Sequence, residues 1–170
     1  MTWALKIYES IMKAGASGYL YWEGRYLLLS STLLWLTRSA NQPGAEPGNT
    51  NAALVLLEPG KSTPTASKRL WAFGQWSRFV RPGAVRLGTS GSGTGLQFSA
   101  FKNPDNSYSV QVLNSGGSAQ SVTVTGISAS SATGWLSAQG TDLNSASVTF
   151  SGGQATANVP AHSMFTFVLK

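Results

Sequence analysis

The sequence predicts a mainly β protein, an antiparallel β-sandwich preceded by two helices and one strand. Three observations carry this prediction. From residue 84 onward, short segments alternate apolar and polar residues between Gly-, Asn-, Asp- and Ser-rich turns. Turn signals at intervals of roughly 8–12 residues are the mark of paired antiparallel sheets. Before residue 84, two segments repeat their apolar residues at spacings of three and four, the helical period. The charge is also unevenly spread. Eleven of the twelve Lys and Arg and four of the six acids lie in residues 1–102, leaving only Asp105, Asp142 and Lys170 beyond. A shift of composition of this kind separates two structural units, 1–83 and 84–170.

Taken in order, Trp3–Ala14 carries Trp3, Ala4, Ile7, Tyr8, Ile11 and Met12 on one helical face and Lys6, Glu9, Ser10 and Lys13 on the other. Thr2 suits its N-cap and Gly15 its C-terminal stop. Tyr19–Trp22 is an unbroken aromatic and aliphatic run, which suits a strand buried on both faces as in a parallel sheet. Glu23 follows directly, at the C-terminal end of that strand. Arg25–Ala45, rich in Leu and Ser, fits neither neighbour. Leu54–Leu57 reads as a short buried strand, and Thr63–Ser67 as a loop ending in the N-cap Ser67. The second helix is Lys68 to about Val80, with Leu70, Phe73, Trp76 or Ser77, and Val80 on its apolar face and Pro82-Gly83 as its stop.

The sandwich strands are Leu96–Lys102, Ser107–Leu113, Ser121–Thr125, Gln154–Val159 and Met164–Leu169, with weaker ones at Trp135-Leu136 and Val148–Phe150. Leu96, Phe98 and Ala100 share one face, as do Tyr108, Val110 and Val112, and Val122 and Val124. The alternate positions are Ser, Thr, Gln and Asn. This accounts for a charged fraction of only 11%, against an ordinary value of about 25%.

Several chemistries are excluded or disfavoured. There is no cysteine, so disulfides, thiolate metal sites and Cys nucleophiles are absent. His162 is the sole histidine and reads as a turn residue, and the acids are scattered, so neither a metal nor a cofactor is expected. The run Gly88–Gly95 lacks a P-loop lysine and precedes a strand rather than a helix, so it reads as a loop between sandwich strands. Lys61–Arg86 interleaves six cations with Trp71, Phe73, Trp76 and Phe79, a texture shared by single-strand nucleic-acid binders and by helices with an aromatic core face. The second reading is preferred, and no nucleic-acid partner is expected. The longest apolar run, Tyr26–Leu36, is about half of the ~20 residues a membrane span needs, so no membrane partner is expected either. Met1–Lys13 interleaves charges with apolar residues and does not read as a signal peptide.

The segment Ser67–Leu87, with its core Gln75-Trp76-Ser77-Arg78-Phe79-Val80-Arg81-Pro82-Gly83, strongly resembles the last barrel helix and sandwich entry of family 30 glycoside hydrolases. Ser99-Ala-Phe-Lys, Val110-Gln-Val-Leu-Asn, Val159-Pro-Ala-His-Ser and Phe165-Thr-Phe-Val resemble that family's C-terminal sandwich, in the same order. Ala14–Glu23 looks like the eighth barrel strand and its approach, nearest to the fungal endo-β-1,6-galactanase-like branch. The resemblance covers about 2–24 and 46–170.

The resemblance implies a retaining hydrolase of cell-wall β-glycans, of galactan or xylan type, with a secreted, extracellular parent enzyme. Its fold would be a (β/α)8 barrel with a side sandwich, so residues 1–83 would be the C-terminal remnant of the barrel. Cleavage takes two carboxylates. In the family these follow the fourth and seventh barrel strands, both upstream of the helix that opens this chain. No catalytic residue is therefore assigned, and the chain alone is expected to be inactive. Tyr21, Trp22 and Glu23 would line the sugar subsite, at the barrel face where active sites sit, the other reading of Tyr21 and Trp22 being barrel core packing. The family's sandwich also takes a strand or more from the N-terminal end of the full enzyme, so an open sandwich edge able to self-associate is expected. The 25–45 segment reads as an aberrant insert, a translated intron, and Met1 as an internal methionine. Two other readings are carried forward: a carbohydrate-binding sandwich module without catalysis, and a basic nucleic-acid-binding protein.

Overall fold

The computed structural model describes residues 2–18, 25–27, 54–57 and 62–170. The expected strand Tyr19–Trp22, with Glu23, lies outside the described residues. The chain divides into two units, residues 1–17 with 71–170, and residues 18–70. Among the described residues the fold is mainly β with antiparallel sheets and two helical segments, as the sequence predicts.

The smaller unit contains β1 (Arg25–Leu27), β2 (Val55–Leu57) and β3 (Thr65–Ala66). β1 pairs with β2 in parallel, and β2 with β3 antiparallel. The expected strand at 54–57 is thus present, and its parallel partner is the opening of the 25–45 segment. Ser67 precedes α2 (Lys68–Ser77) at the N-cap position, where its carbonyl accepts from Leu70 N–H at 3.0 Å. Its hydroxyl, however, is buried without a partner, so the cap works through the backbone alone.

In the larger unit, α1 (Thr2–Tyr8) runs directly into a π-helical turn at Glu9–Lys13. Thr2 is already helical rather than capping, and Gly15 stops the helix at φ +71°, a conformation glycine adopts freely. Ala4 and Ile7 are buried, whereas Lys6, Glu9 and Lys13 are exposed, as the periodicity requires. α2 ends at Ser77, about three residues before the predicted end at Val80. Val80 N–H still bonds back to Trp76 O at 2.8 Å, and Arg81 Nη1 donates to Ser77 O at 3.2 Å. That guanidinium satisfies an orphan carbonyl at the negative end of the helix.

The sandwich comprises β4 (Val85–Leu87), β5 (Leu96–Lys102), β6 (Tyr108–Asn114), β7 (Gln120–Val124), β8 (Ala132–Ala138), β9 (Thr141–Ala146), β10 (Thr149–Ser151), β11 (Gln154–Val159) and β12 (Ser163–Leu169). One sheet has the order β4-β5-β6-β12-β8-β9 and the other β10-β11-β7. Their facing residues form the core. Ala100, Val110, Val112, Phe165, Phe167 and Leu169 from the large sheet meet Val122, Ala155, Ala157 and Val159 from the small one. These are the positions that alternation selects.

The polar face of the large sheet differs from expectation. Ser99, Ser109, Gln111 and Thr166 alternate with the core residues, yet each is fully buried instead of facing water. The reason is that α2 lies across this face. Trp76 packs edge-on to Phe101 at 6.1 Å between centroids, and Phe79 sits 5.5 Å from Trp135. A Cβ at Gly74 would come within 3.1 Å of Leu143 Cδ2, so a glycine there lets α2 approach β9. The buried hydroxyls and amides then pair with one another: Ser99 Oγ donates to Gln111 Oε1, and Gln111 Nε2 to Ser109 Oγ.

Candidate functional site

The residues expected to bind sugar, Tyr21, Trp22 and Glu23, lie outside the described residues, and no geometry is assigned to them. Two residues after Glu23, β1 begins, and it pairs with β2 in parallel. Parallel pairing belongs to sheets covered on both faces, such as those of barrels.

What the structure does define is how the polar and basic residues of the motifs are used. Gln75 is fully buried on α2. Its Nε2 faces Trp135 O (3.3 Å), Ser137 Oγ (3.0 Å) and Met164 O (3.2 Å), while its Oε1 accepts from Thr166 Oγ1 at 2.6 Å. One amide therefore ties the helix to the neighbouring strands β8 and β12. Asn103 does the same where α2 hands over to the sandwich. Its Nδ2 donates to Phe79 O and to Ser107 Oγ, both at 3.0 Å, and its Oδ1 accepts from Arg81 N–H at 3.0 Å. Asn114 donates to Val159 O (3.1 Å) and Pro160 O (3.0 Å) and accepts from Gly116 N–H, joining the end of β6 to the β11–β12 connection.

Three cations of the basic stretch, Arg78, Arg81 and Arg86, are engaged within the larger unit. Arg78 lies 4.1 Å above the Trp135 ring, and Arg81 caps α2. Arg86 Nη1 donates to Ile11 O at 3.1 Å and to Met12 O at 3.3 Å, so β4 holds the C-terminal carbonyls of the first helical segment. Trp76 and Phe79 are buried, and neither offers a face on which a base could stack. His162 is an exposed turn residue at φ +50°, as expected. Among the described residues there is no group of three or more His, Cys, Asp or Glu that could hold a metal, and no helix long and apolar enough to cross a membrane.

In the turn Asn103–Asn106, Asp105 Oδ1 accepts from Ser107 Oγ at 2.6 Å and from Ser107 N–H at 3.0 Å. The hydroxyl first, and the amide second, hold its carboxyl below the ordinary carboxylate value. The folded value is the lower one. The turn's contribution to stability is therefore present above the ordinary carboxyl value and lost as pH falls through the folded one. In an NMR titration, Ser107→Ala should return Asp105 towards its ordinary value. An unchanged midpoint would remove Ser107 as the cause.

A groove of about 490 Å³ opens between the sheets beside β7. Its floor is Leu96, Phe98, Ala100 and Val110, one wall is β7 and the following residues to Ile127, and the other is the loop Gly88–Ser92. No charged side chain lines it among the described residues.

Residues 83–167, half of the chain, match the glycosyl hydrolase family 30 beta sandwich domain. The chain belongs to glycosyl hydrolase family 30. Among curated proteins, it is similar to the glucuronoxylanase XynC of Bacillus subtilis strain 168, 33% identical over 115 residues. That match covers 65% of this chain and 27% of the relative. Among solved structures, the catalytic domain of the GH30 xylanase C from Talaromyces cellulolyticus is 34% identical with a TM-score of 0.80, covering 99% of this chain and 34% of that one. A GH30 endoxylanase from Clostridium papyrosolvens C71 is 30% identical with a TM-score of 0.58, covering 62% of this chain and 28% of its own. The chain thus spans about a quarter to a third of the length of these family 30 relatives.

The polar anchors Gln75, Asn103 and Asn114 were not singled out from the sequence as contact residues. Two of them lie inside the motifs that carry the family resemblance, Gln75 at the head of Gln75–Gly83 and Asn114 at the end of Val110–Asn114. The signal that points to them is an amide at a core-facing helix position and at the close of an apolar strand, where the hydrophobic period calls for an aliphatic residue.

Proposed function

We propose that the chain is the C-terminal part of a retaining glycoside hydrolase acting on cell-wall β-glycans, of the xylan type in preference to the galactan type. The observation that carries this reading is the 34% identity with a xylanase over 99% of this chain. Xylanase names recur in two further relatives at 30% identity or more. In this reading, Tyr21, Trp22 and Glu23 line the sugar subsite of a barrel supplied largely by the rest of an extracellular enzyme, and 1–83 is the barrel's C-terminal remnant. Both catalytic carboxylates lie upstream, so the sandwich holds the last barrel helix in place and performs no chemistry.

Purified chain should release no reducing sugar from glucuronoxylan or β-1,6-galactan. Fused behind the upstream part of the Talaromyces relative, it should complete a xylan-cleaving enzyme. In that fusion Trp22→Ala should lower kcat/KM about tenfold or more, the loss of roughly 1.4 kcal/mol of transition-state contact. Turnover by the chain alone would refute the reading, as would a fusion that cleaves galactan and leaves xylan untouched.

A second reading, a carbohydrate-binding sandwich, draws on the outer face of the small sheet. Thr149, Thr156 and Thr123 stand side by side across β10, β11 and β7, with the last two hydroxyls 2.9 Å apart. Retardation of the chain in xylan gels would favour this reading, and unretarded migration would remove it.

A further inference from the structure

Just past the end of α2, two arginines stand exposed on the larger unit, Arg78 and Arg81. Arg78 is held by rings rather than by an acid. Its guanidinium carbon lies 4.1 Å above the Trp135 ring and 5.5 Å above the Phe79 ring, and those two rings are 5.5 Å apart. Stacking engages the flat face of a guanidinium, while its five N–H donors lie in the plane and point away. Among the described residues those donors make no hydrogen bond and no ion pair. Arg81 uses one Nη1 on Ser77 O and keeps its other donors exposed.

The charge around them is unbalanced. The larger unit carries seven Lys and Arg against three acids. Glu9 pairs with Lys13 at 2.9 Å, and Asp105 is held by Ser107. Asp142, on β9, forms no ion pair with Arg78. The Arg78 fork is therefore rigid, cationic and uncompensated.

Hydroxyls surround it. Trp135 is partly buried on the α2 side of β8, and Ser145 of β9 is its direct cross-strand partner. Thr133, two residues earlier on β8, shares that face. Thr133 and Ser145 are both exposed. A planar fork matches a carboxylate at two points, and hydroxyls beside it match those of a sugar ring. Holding the arginine on two rings beforehand removes much of the rotamer entropy that binding would otherwise cost. Other polyanions fit less well. A nucleic-acid base needs a bare aromatic face, and here Arg78 lies over Trp135 while Phe79 is buried. An acidic peptide would seek a strand edge, and the adjacent edge, β9, carries Asp142 and is kinked at Leu143 with φ +50°.

We propose that Arg78, stacked on Trp135 beside Thr133 and Ser145, is a docking site for a carboxylated polysaccharide. One uronate carboxylate sits bidentate on the Arg78 fork, and Arg81, three residues on, adds charge. The site lies on the large sheet, on the opposite side of the sandwich from the threonine face of β7, β10 and β11. It binds an acidic polymer and performs no chemistry, and it depends on neither reading of the function given above.

The full chain, labelled for NMR, would be titrated at low salt with oligogalacturonate and with its uncharged methyl ester. Polyglutamate and single-stranded DNA would serve as other polyanions. Oligogalacturonate should shift the Trp135 indole N–H and the amides of Thr133 and Ser145, and the ester should not. Arg78→Gln should weaken binding about tenfold. Arg78→Lys keeps the charge and loses the fork, so its affinity should lie nearer to that of the glutamine variant than to that of the parent. Thr133→Glu sets a carboxylate at an exposed position on the same face and should abolish the response. It covers the case in which removing Arg78 disturbs Trp135. Parent-like affinity in Arg78→Lys or Thr133→Glu, an equal response to the ester, or a response centred on Thr123 and Thr156 would overturn the site. Polyglutamate or DNA bound at these residues as tightly as the uronate would overturn the choice of a sugar as its ligand.

Discussion

Replacing Gln75 by leucine should destabilise the larger unit by about 3 kcal/mol, although leucine is apolar, of similar size and a better helix former in a buried site. The side chain is fully buried and serves Trp135 O, Ser137 Oγ, Met164 O and Thr166 Oγ1 together. Removing it strands several of these groups in a space that α2 closes to water. A buried polar group left unpaired costs about 1–3 kcal/mol, more than the net gain of making the bond. Thr166→Val in the leucine background removes one stranded hydroxyl and should recover part of the loss. The two substitutions should be non-additive by about 1 kcal/mol in a double-mutant cycle measured by chemical denaturation. A loss below about 1 kcal/mol for Gln75→Leu, or simple additivity, would show that the amide is not the anchor of this helix.

The same residue explains how much of the fold was legible in the sequence. Strands whose inner face is apolar and whose turns carry Gly or Asn were read correctly, because alternation reports one buried face. Leu96–Lys102 and Met164–Leu169, the latter observed as Ser163–Leu169, are examples. Alternation says nothing of what covers the other face. Ser, Thr and Gln on alternate positions look like a solvated surface, and here they are a buried network under α2. β9 was missed for a related reason. Thr-Asp-Leu-Asn-Ser-Ala has no period, pairs only with β8, and bends at Leu143.

The motifs were legible as a family signature before their physical purpose was. Gln75 meets Thr166, Trp76 meets Phe101, and Asn114 meets the carbonyls of Val159 and Pro160. Each pair joins two of the segments that resemble family 30, so these motifs are the two sides of the same contacts. The first two specify the docking of a helix on a sandwich and the third a closure within the sandwich itself. The residues placed nearest to chemistry, Tyr21, Trp22 and Glu23, lie outside the described residues and are reached only through the resemblance together with their place in and after an apolar run.

Phe165→Ala should be the most damaging single truncation in the sandwich, about 4–5 kcal/mol. Phe165 is 1% exposed on β12, which lies between β6 and β8, and its ring sits 4.7 Å from that of Phe167. Losses for Phe→Ala in cores run to about 3–5 kcal/mol and grow with the cavity that the surroundings fail to close. Here the ring rests over Gly134, where a Cβ would be 2.5 Å from Phe165 Cζ, 2.6 Å from Val148 Cγ2 and 2.8 Å from Ala146 O. A glycine has no side chain to move into the space, so the cavity stays open. The same geometry predicts that Gly134→Ala is itself destabilising, by about 1–3 kcal/mol of overpacking. In the Phe165→Ala background the new methyl loses its worst clash and occupies part of the cavity, so its penalty should shrink. It should not vanish, because the Ala146 carbonyl is backbone and cannot turn aside. Thermal or denaturant unfolding of the two single variants and the double would measure this. A Phe165→Ala loss near 2 kcal/mol, or a Gly134→Ala penalty of the same size in both backgrounds, would mean that β8 and β9 shift to fill the gap and that the large sheet is softer than its packing indicates.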